Sequence, residues 1–155
     1  VASRKKYFTV DEANHSLPLV RSIVTDIVAS YTDLHDRHQR LESVKRRNSA
    51  SRGSMPTEYN EELAQMETDL ERDSEKLRGF VSELAALGVE LKDSTIGLID
   101  FPGLIDGREV CLCWKLGEAE VAFWHEVDAG FSGRQSLLAN AAPFVPDGPS
   151  DPTVA

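Results

Sequence analysis

The sequence predicts an α+β fold, a long antiparallel helical hairpin of coiled-coil type packed at its base on a small three-stranded antiparallel sheet. Three observations carry this reading. Apolar residues recur in two heptad stripes, the first through Val20, Val24, Ile27, Tyr31, Leu34, His38 and Leu41. The second runs through Tyr59, Leu63, Met66, Leu70, Asp73, Leu77, Phe80, Leu84 and Leu87. Alternating steps of four and three keep one seam of a helix on a partner helix. Finally, the period changes after Gly88, and Asp106-Gly107 stands between two apolar runs, a strong hairpin signal.

Each element has a local justification. Thr9-Val10-Asp11-Glu12 reads as a capping box that opens a short helix through Ser16. Pro18 lacks an amide hydrogen, so it suits the first turn of a second helical segment, and the hairpin proper is expected over 18–87. Small, polar and breaker residues at 48–56 form its turn, Thr57 caps the returning helix, and Gly88 closes it. Folding the stripes together pairs Val20 with Leu84, Ile27 with Leu77, Leu34 with Leu70 and Leu41 with Leu63. It also sets Tyr31 against Asp73, a hydroxyl–carboxylate pair, and His38 near Met66.

The sheet is expected over 97–126, with Val89–Lys92 a further short extended segment. A two-residue turn at Asp106-Gly107 pairs Phe101 with Leu112 and Ile99 with Trp114. A four-residue loop at Leu116–Ala119 pairs Leu112 with Phe123 and Trp114 with Val121. This register puts Val121, Phe123 and His125 on the apolar face. Asp100, Cys111, Cys113, Trp124 and Glu126 fall on the other. That second face is too apolar for open solvent, and the segment 128–138, the Tyr7-Phe8 pair or another subunit would cover it. Residues 1–138 read as a single domain, with a glycine-containing turn at 128–134 and a proline-rich tail at 139–155.

Composition narrows the function. Twenty-six acidic against 17 basic residues give a net charge of -9, which disfavours nucleic acid or an anionic membrane as partner. The basic residues Arg37, Arg40, Lys45, Arg46, Arg47 and Arg52 cluster towards the hairpin tip, but no aromatic platform interleaves them. No run reaches the length of a membrane span, and none reads as a secretory signal. Two cysteines, Cys111 and Cys113, at i,i+2 cannot form a relaxed disulfide, and the expected compartment is a reducing cytoplasm.

Several segments carry a resemblance. They are Phe8–Asn14, Leu17–Val20, Gly97–Pro102, Asp106–Val110, Cys113–Glu118, and Phe123–Glu126 leading to Gly130–Arg134. In these the chain resembles a group of small prokaryotic proteins, the domain-of-unknown-function family 2203. The likeness leaves out the hairpin tip and the tail. It implies a bacterial cytoplasmic protein and no established chemistry.

The candidate ligand-binding residues are Asp100, Arg108, Trp124, His125 and Arg134. Arg134 beside Gly130 and Gly133 could clamp a small anionic ligand. His125, Glu126 and Asp128 form a candidate divalent-metal site, and His35 with His38, three apart on a helix, form a competing pair. The bland alternative has His125 bonded to a backbone carbonyl and Arg134 paired with Glu126 or Asp128. The two cysteines read as small buried hydrophobes, since their spacing is not CxxC. No nucleotide-binding glycine motif and no serine nucleophile elbow occurs. The preferred reading is a small-molecule (anion) or divalent-metal binding protein with its site near the C-terminal end of the sheet. A self-associating adaptor protein, expected as a homodimer, is the alternative. A small enzyme using His125 as base or metal ligand is the second.

Overall fold

The computed structural model describes residues 6–50 and 57–138; the tail at 139–155 and the centre of the hairpin turn lie outside the described residues. Two long helices, α1 (Val10–Ala50) and α2 (Thr57–Ala86), are followed by five strands. These are β1 (Glu90–Asp93), β2 (Leu98–Ile105), β3 (Arg108–Lys115), β4 (Phe123–His125) and β5 (Gln135–Ser136). They form one antiparallel meander in the order β1-β2-β3-β4-β5. The sheet therefore has five strands where the sequence led us to expect three over 97–126. The two edge strands are short, and β5 carries no periodicity that could announce it.

The capping box forms as expected: the Thr9 amide donates to Glu12 Oε1 (2.9 Å) and the Glu12 amide to Thr9 Oγ1 (3.1 Å). However, α1 does not restart at Pro18; it runs unbroken through it. Pro18 lies on the exposed side, so its missing hydrogen bond falls towards water. On the other side Ala13, Leu17, Val20 and Val24 are buried. At roughly 1.5–3 kcal/mol for each large apolar side chain, that burial offsets the proline penalty of about 3 kcal/mol. At the far end α2 closes with both bonds of a Schellman motif. Gly88 N–H donates to Ala85 O (2.9 Å) and Val89 N–H to Leu84 O (3.4 Å), with Gly88 at φ 89°.

The seam follows the stripes. Val20, Val24, Ile27, Leu34, Leu41 and Leu84 are buried, and Leu77 and Phe80 pack against the main core. Arg37 meets Asp73 (2.8 Å) and Lys45 meets Glu67 (2.6 Å), so numbers rise in α1 as they fall in α2, the antiparallel sense. Asp73 thus takes Arg37 and not Tyr31. Arginine reaches further than tyrosine and brings a charge, and its hydrogen bond holds the Asp73 carboxyl below its ordinary pKa. Tyr31 turns outward and stacks on His35 with ring centroids 6.1 Å apart. Leu19, Tyr31 and Met66 are the large apolar side chains exposed on the described part of the hairpin, and they form no continuous stripe. None of the described helices is long and apolar enough to cross a membrane.

The β2–β3 register is the expected one, with Ile99 opposite Trp114 and Phe101 opposite Leu112. Asp106 (φ 53°) and Gly107 (φ 78°) both take the left-handed conformation that a two-residue hairpin turn requires. Ile99, Phe101, Val110, Leu112 and Trp114 face the helices and make the core with the base of the hairpin. Phe8 joins it: its amide donates to Pro102 O (2.8 Å) and its ring stands edge-on to Phe101 at 5.1 Å.

The β3–β4 register corrects the expectation by one residue. Leu112 pairs with Trp124, Cys111 with His125 and Cys113 with Phe123. A slip of one exchanges the faces of every side chain in the strand. Trp124 therefore enters the core, whereas Phe123 and His125 move to the face of Asp100, Cys111 and Cys113. The cause is a longer loop at 116–122 that is pinned from a distance. The Asn14 carboxamide on α1 accepts from the Val121 amide (2.7 Å) and donates to the Val121 carbonyl (3.3 Å). Arg21 donates to the Ala119 carbonyl (2.9 Å), and Trp114 Nε1 to that of Glu118 (3.0 Å). Val121 is buried by this bracket without joining a strand.

Candidate functional site

The outer face of the sheet, turned away from the helices, carries a buried polar cluster of Asp100 on β2, Cys113 on β3 and His125 on β4. Adjacent strands bring the three side by side. Asp100 is directly opposite Cys113 in the ladder, and His125, opposite Cys111, is two residues along on the same face. Asp100 is 2 % exposed, His125 3 % and Cys113 0 %. One donor atom from each lies within 4.8 Å of the other two.

The proton arrangement follows from the geometry. His125 Nδ1 is 2.8 Å from the Glu126 carbonyl, an acceptor only, so Nδ1 carries a hydrogen and donates. Nε2 faces both oxygens of Asp100 at 3.0 Å. A proton must lie between them, on the imidazole or on the carboxyl, because two lone pairs would repel. Cys113 closes the group from below. Burial, and then the Asp100 carboxylate, push its thiol up to about 12. By itself the thiol is therefore a protonated, poor nucleophile at neutral pH.

Arg134 stands behind Cys113. Its two terminal nitrogens grip Glu118 as a fork, each 2.7 Å from a carboxylate oxygen. The guanidinium lies over the Phe123 ring at 4.0 Å and the Phe131 ring at 4.7 Å. Burial would raise the pKa of Glu118, yet the Arg134 bonds and the Lys115 amide hold it below the ordinary carboxylate value. Arg134 Nε is buried and finds no hydrogen-bond partner among the described residues, although the guanidinium is an electrostatic neighbour of Cys113.

Beyond Asp100 and His125 the face opens into a cleft of about 430 Å³. The chain from Val127 to Phe131 folds over one side of it, turning at Gly130 (φ 120°). Part of the segment expected to cover this face thus walls a cleft.

The residues singled out from the sequence fall into three groups. Asp100 and His125 come together, and Asp128 lines the cleft. Glu126 contributes its carbonyl to His125, but its carboxylate pairs with Arg108 (2.5 Å), whose guanidinium lies over the Trp124 ring. Arg134 pairs with Glu118 rather than with Glu126 or Asp128. His35 and His38 are both exposed; His38 is 3.9 Å from Glu42, and neither belongs to a metal-capable group among the described residues. Cys113 is buried, as the sequence leads one to expect of a small hydrophobe, but it lies beside Asp100 and His125. The β2–β3 register already put it opposite Asp100, and that signal could have found it.

A family model described as "Uncharacterized conserved protein (DUF2203)" matches residues 6–137. The chain belongs to this family. The match includes the hairpin tip that the motif resemblance left out, and DUF2203 carries no described activity that could be transferred to Asp100, Cys113 or His125. No curated protein and no solved structure matches the chain.

Proposed function

We propose that this DUF2203 protein binds a divalent transition metal through Asp100, Cys113 and His125. The observation that carries the reading is the gathering of three buried donor atoms of three types within 4.8 Å. Zinc takes nitrogen at about 2.0–2.1 Å, carboxylate oxygen at about 2.0–2.2 Å and thiolate at about 2.3 Å. Tetrahedral donors at those lengths stand roughly 3.3–3.7 Å apart, so small side-chain shifts suffice. A thiolate with an imidazole selects zinc, cobalt or iron over magnesium and calcium.

The surroundings support the same reading. A metal-binding imidazole usually donates its second nitrogen to a carbonyl, as His125 Nδ1 does to Glu126. A metal would replace the proton shared by Nε2 and Asp100 and the thiol proton of Cys113. The Arg134 guanidinium, already an electrostatic and hydrogen-bonding neighbour of Cys113, would then face a thiolate. The anion reading has less support, because Arg134 and Arg108 are both engaged by carboxylates.

The test uses protein purified without a metal-chelating tag, stripped with a chelator and dialysed against zinc. One equivalent of zinc by elemental analysis is expected. His125→Ala and Cys113→Ser should lose it with helicity retained, and the double His35→Ala, His38→Ala variant should keep it. Absence of stoichiometric metal, or its loss only in the double variant, would overturn the assignment.

A further inference from the structure

We infer that the metal site is open on one side and takes, at its remaining coordination position, a small neutral or cationic ligand from the cleft. This rests on the metal assignment above. Its first support is the number of donors. The described residues supply three, and three protein ligands with an exchangeable fourth position mark zinc sites that bind water or substrate, whereas closed structural sites have four.

The second support is the direction of the opening. Asp100 and His125 line the cleft, while Cys113 does not and is 0 % exposed. An ion among the three has the thiolate at its back and the cleft in front. A volume of about 430 Å³ lies within the roughly 300–1,000 Å³ of small-molecule pockets. The lining is mixed, with Val127 and Phe131, 54 % and 40 % exposed, alongside the carboxylate of Asp128 on the same segment.

Charge decides the ligand class. A divalent ion neutralises Asp100 and the Cys113 thiolate. Of the other charged groups that line the cleft, Glu90 and Lys92 pair with each other at 3.4 Å, and Asp128 adds a further negative charge. An excess of one sign of charge around a cleft disfavours ligands of that sign. Anions are therefore disfavoured, and a donor atom on a neutral or positively charged molecule of modest size is favoured.

The experiment replaces zinc with cobalt and follows the visible d–d bands while imidazole, azide or inorganic phosphate is added, with bound cobalt measured in parallel. Imidazole should shift the bands saturably at constant bound cobalt, and azide and phosphate should bind roughly tenfold or more weakly. The double variant Glu90→Gln, Asp128→Asn should narrow that gap. Bands unmoved by every probe, with one cobalt still bound, would overturn the open position and leave the metal assignment standing. Azide or phosphate binding as tightly as imidazole would overturn the ligand class. Failure to bind one cobalt would overturn the metal assignment and this inference together.

Discussion

Asn14 and Val121, 107 residues apart in the chain, are joined by two hydrogen bonds between one carboxamide and one peptide unit. This bracket holds the loop before β4 and so sets which face His125 occupies. Asn14→Ala leaves a buried Val121 amide and carbonyl without partners. A loss of roughly 1–3 kcal/mol is expected in urea unfolding, with a changed environment for His125 by NMR. An unchanged midpoint together with an unchanged His125 signal would show that the register is held elsewhere.

The hairpin seam should be costly to empty. Leu34 and Leu41 are 8 % and 3 % exposed on a part of α1 that lies beyond the sheet. Each replaced by Ala should destabilise the protein by roughly 2–5 kcal/mol, read as a shift in urea midpoint at constant slope. Values near zero for both would mean that α1 and α2 part company towards the tip.

Cys113 should make the metal-free protein sensitive to alkali. Its thiol is raised from 9.0 to about 12 in the fold, so the unfolded chain gives up this proton first. Above pH 9 the unfolded state binds fewer protons than the native one, and stability falls as pH rises. The contribution is fully present below 9 and is lost towards 12 at up to about 1.4 kcal/mol per pH unit. Cys113→Ala should be less stable at neutral pH but should show a flatter alkaline slope, measured by urea unfolding at stepped pH in chelator.

Glu118 works in the opposite direction. Its native pKa lies below the ordinary carboxylate value, so its contribution is present above that ordinary value. It is lost as pH falls through the lowered native value. Glu118→Gln should therefore be less stable at neutral pH and lose less on acidification. Arg134→Ala should cost about 3 kcal/mol or more, because it leaves Glu118 partly buried without its cation and withdraws the guanidinium from Phe123 and Phe131. An acid-unfolding curve identical to wild type in Glu118→Gln would show that the fork does not contribute to stability.

The polar cluster was half legible. Asp100 and His125 stand out as ionisable residues among apolar neighbours, and the β2–β3 register put Cys113 opposite Asp100. A four-residue loop before β4 would place His125 on the core face and Trp124 outside it, whereas the observed register does the reverse. Nothing local distinguishes a four-residue loop from a longer one there. The residues that decide it, Asn14 and Arg21, belong to a helix far away in sequence.

What the sequence by itself determined is whatever depends on near neighbours and on periodicity. The Thr9–Glu12 box, the antiparallel pairing of the two long helices, the Gly88 stop and the Asp106-Gly107 turn all formed as their residues required. Each is decided within a few positions by hydrogen-bond reach, backbone sterics or the 3.6-residue turn. Only the tertiary structure decided the unbroken passage of α1 through Pro18, the pairing of the 89–92 segment into the sheet as β1, the addition of β5, the face of His125 and the partner of Arg134. These outcomes weigh a local penalty or preference against burial and polar contacts supplied by distant segments, and such contacts exist only once the chain has folded.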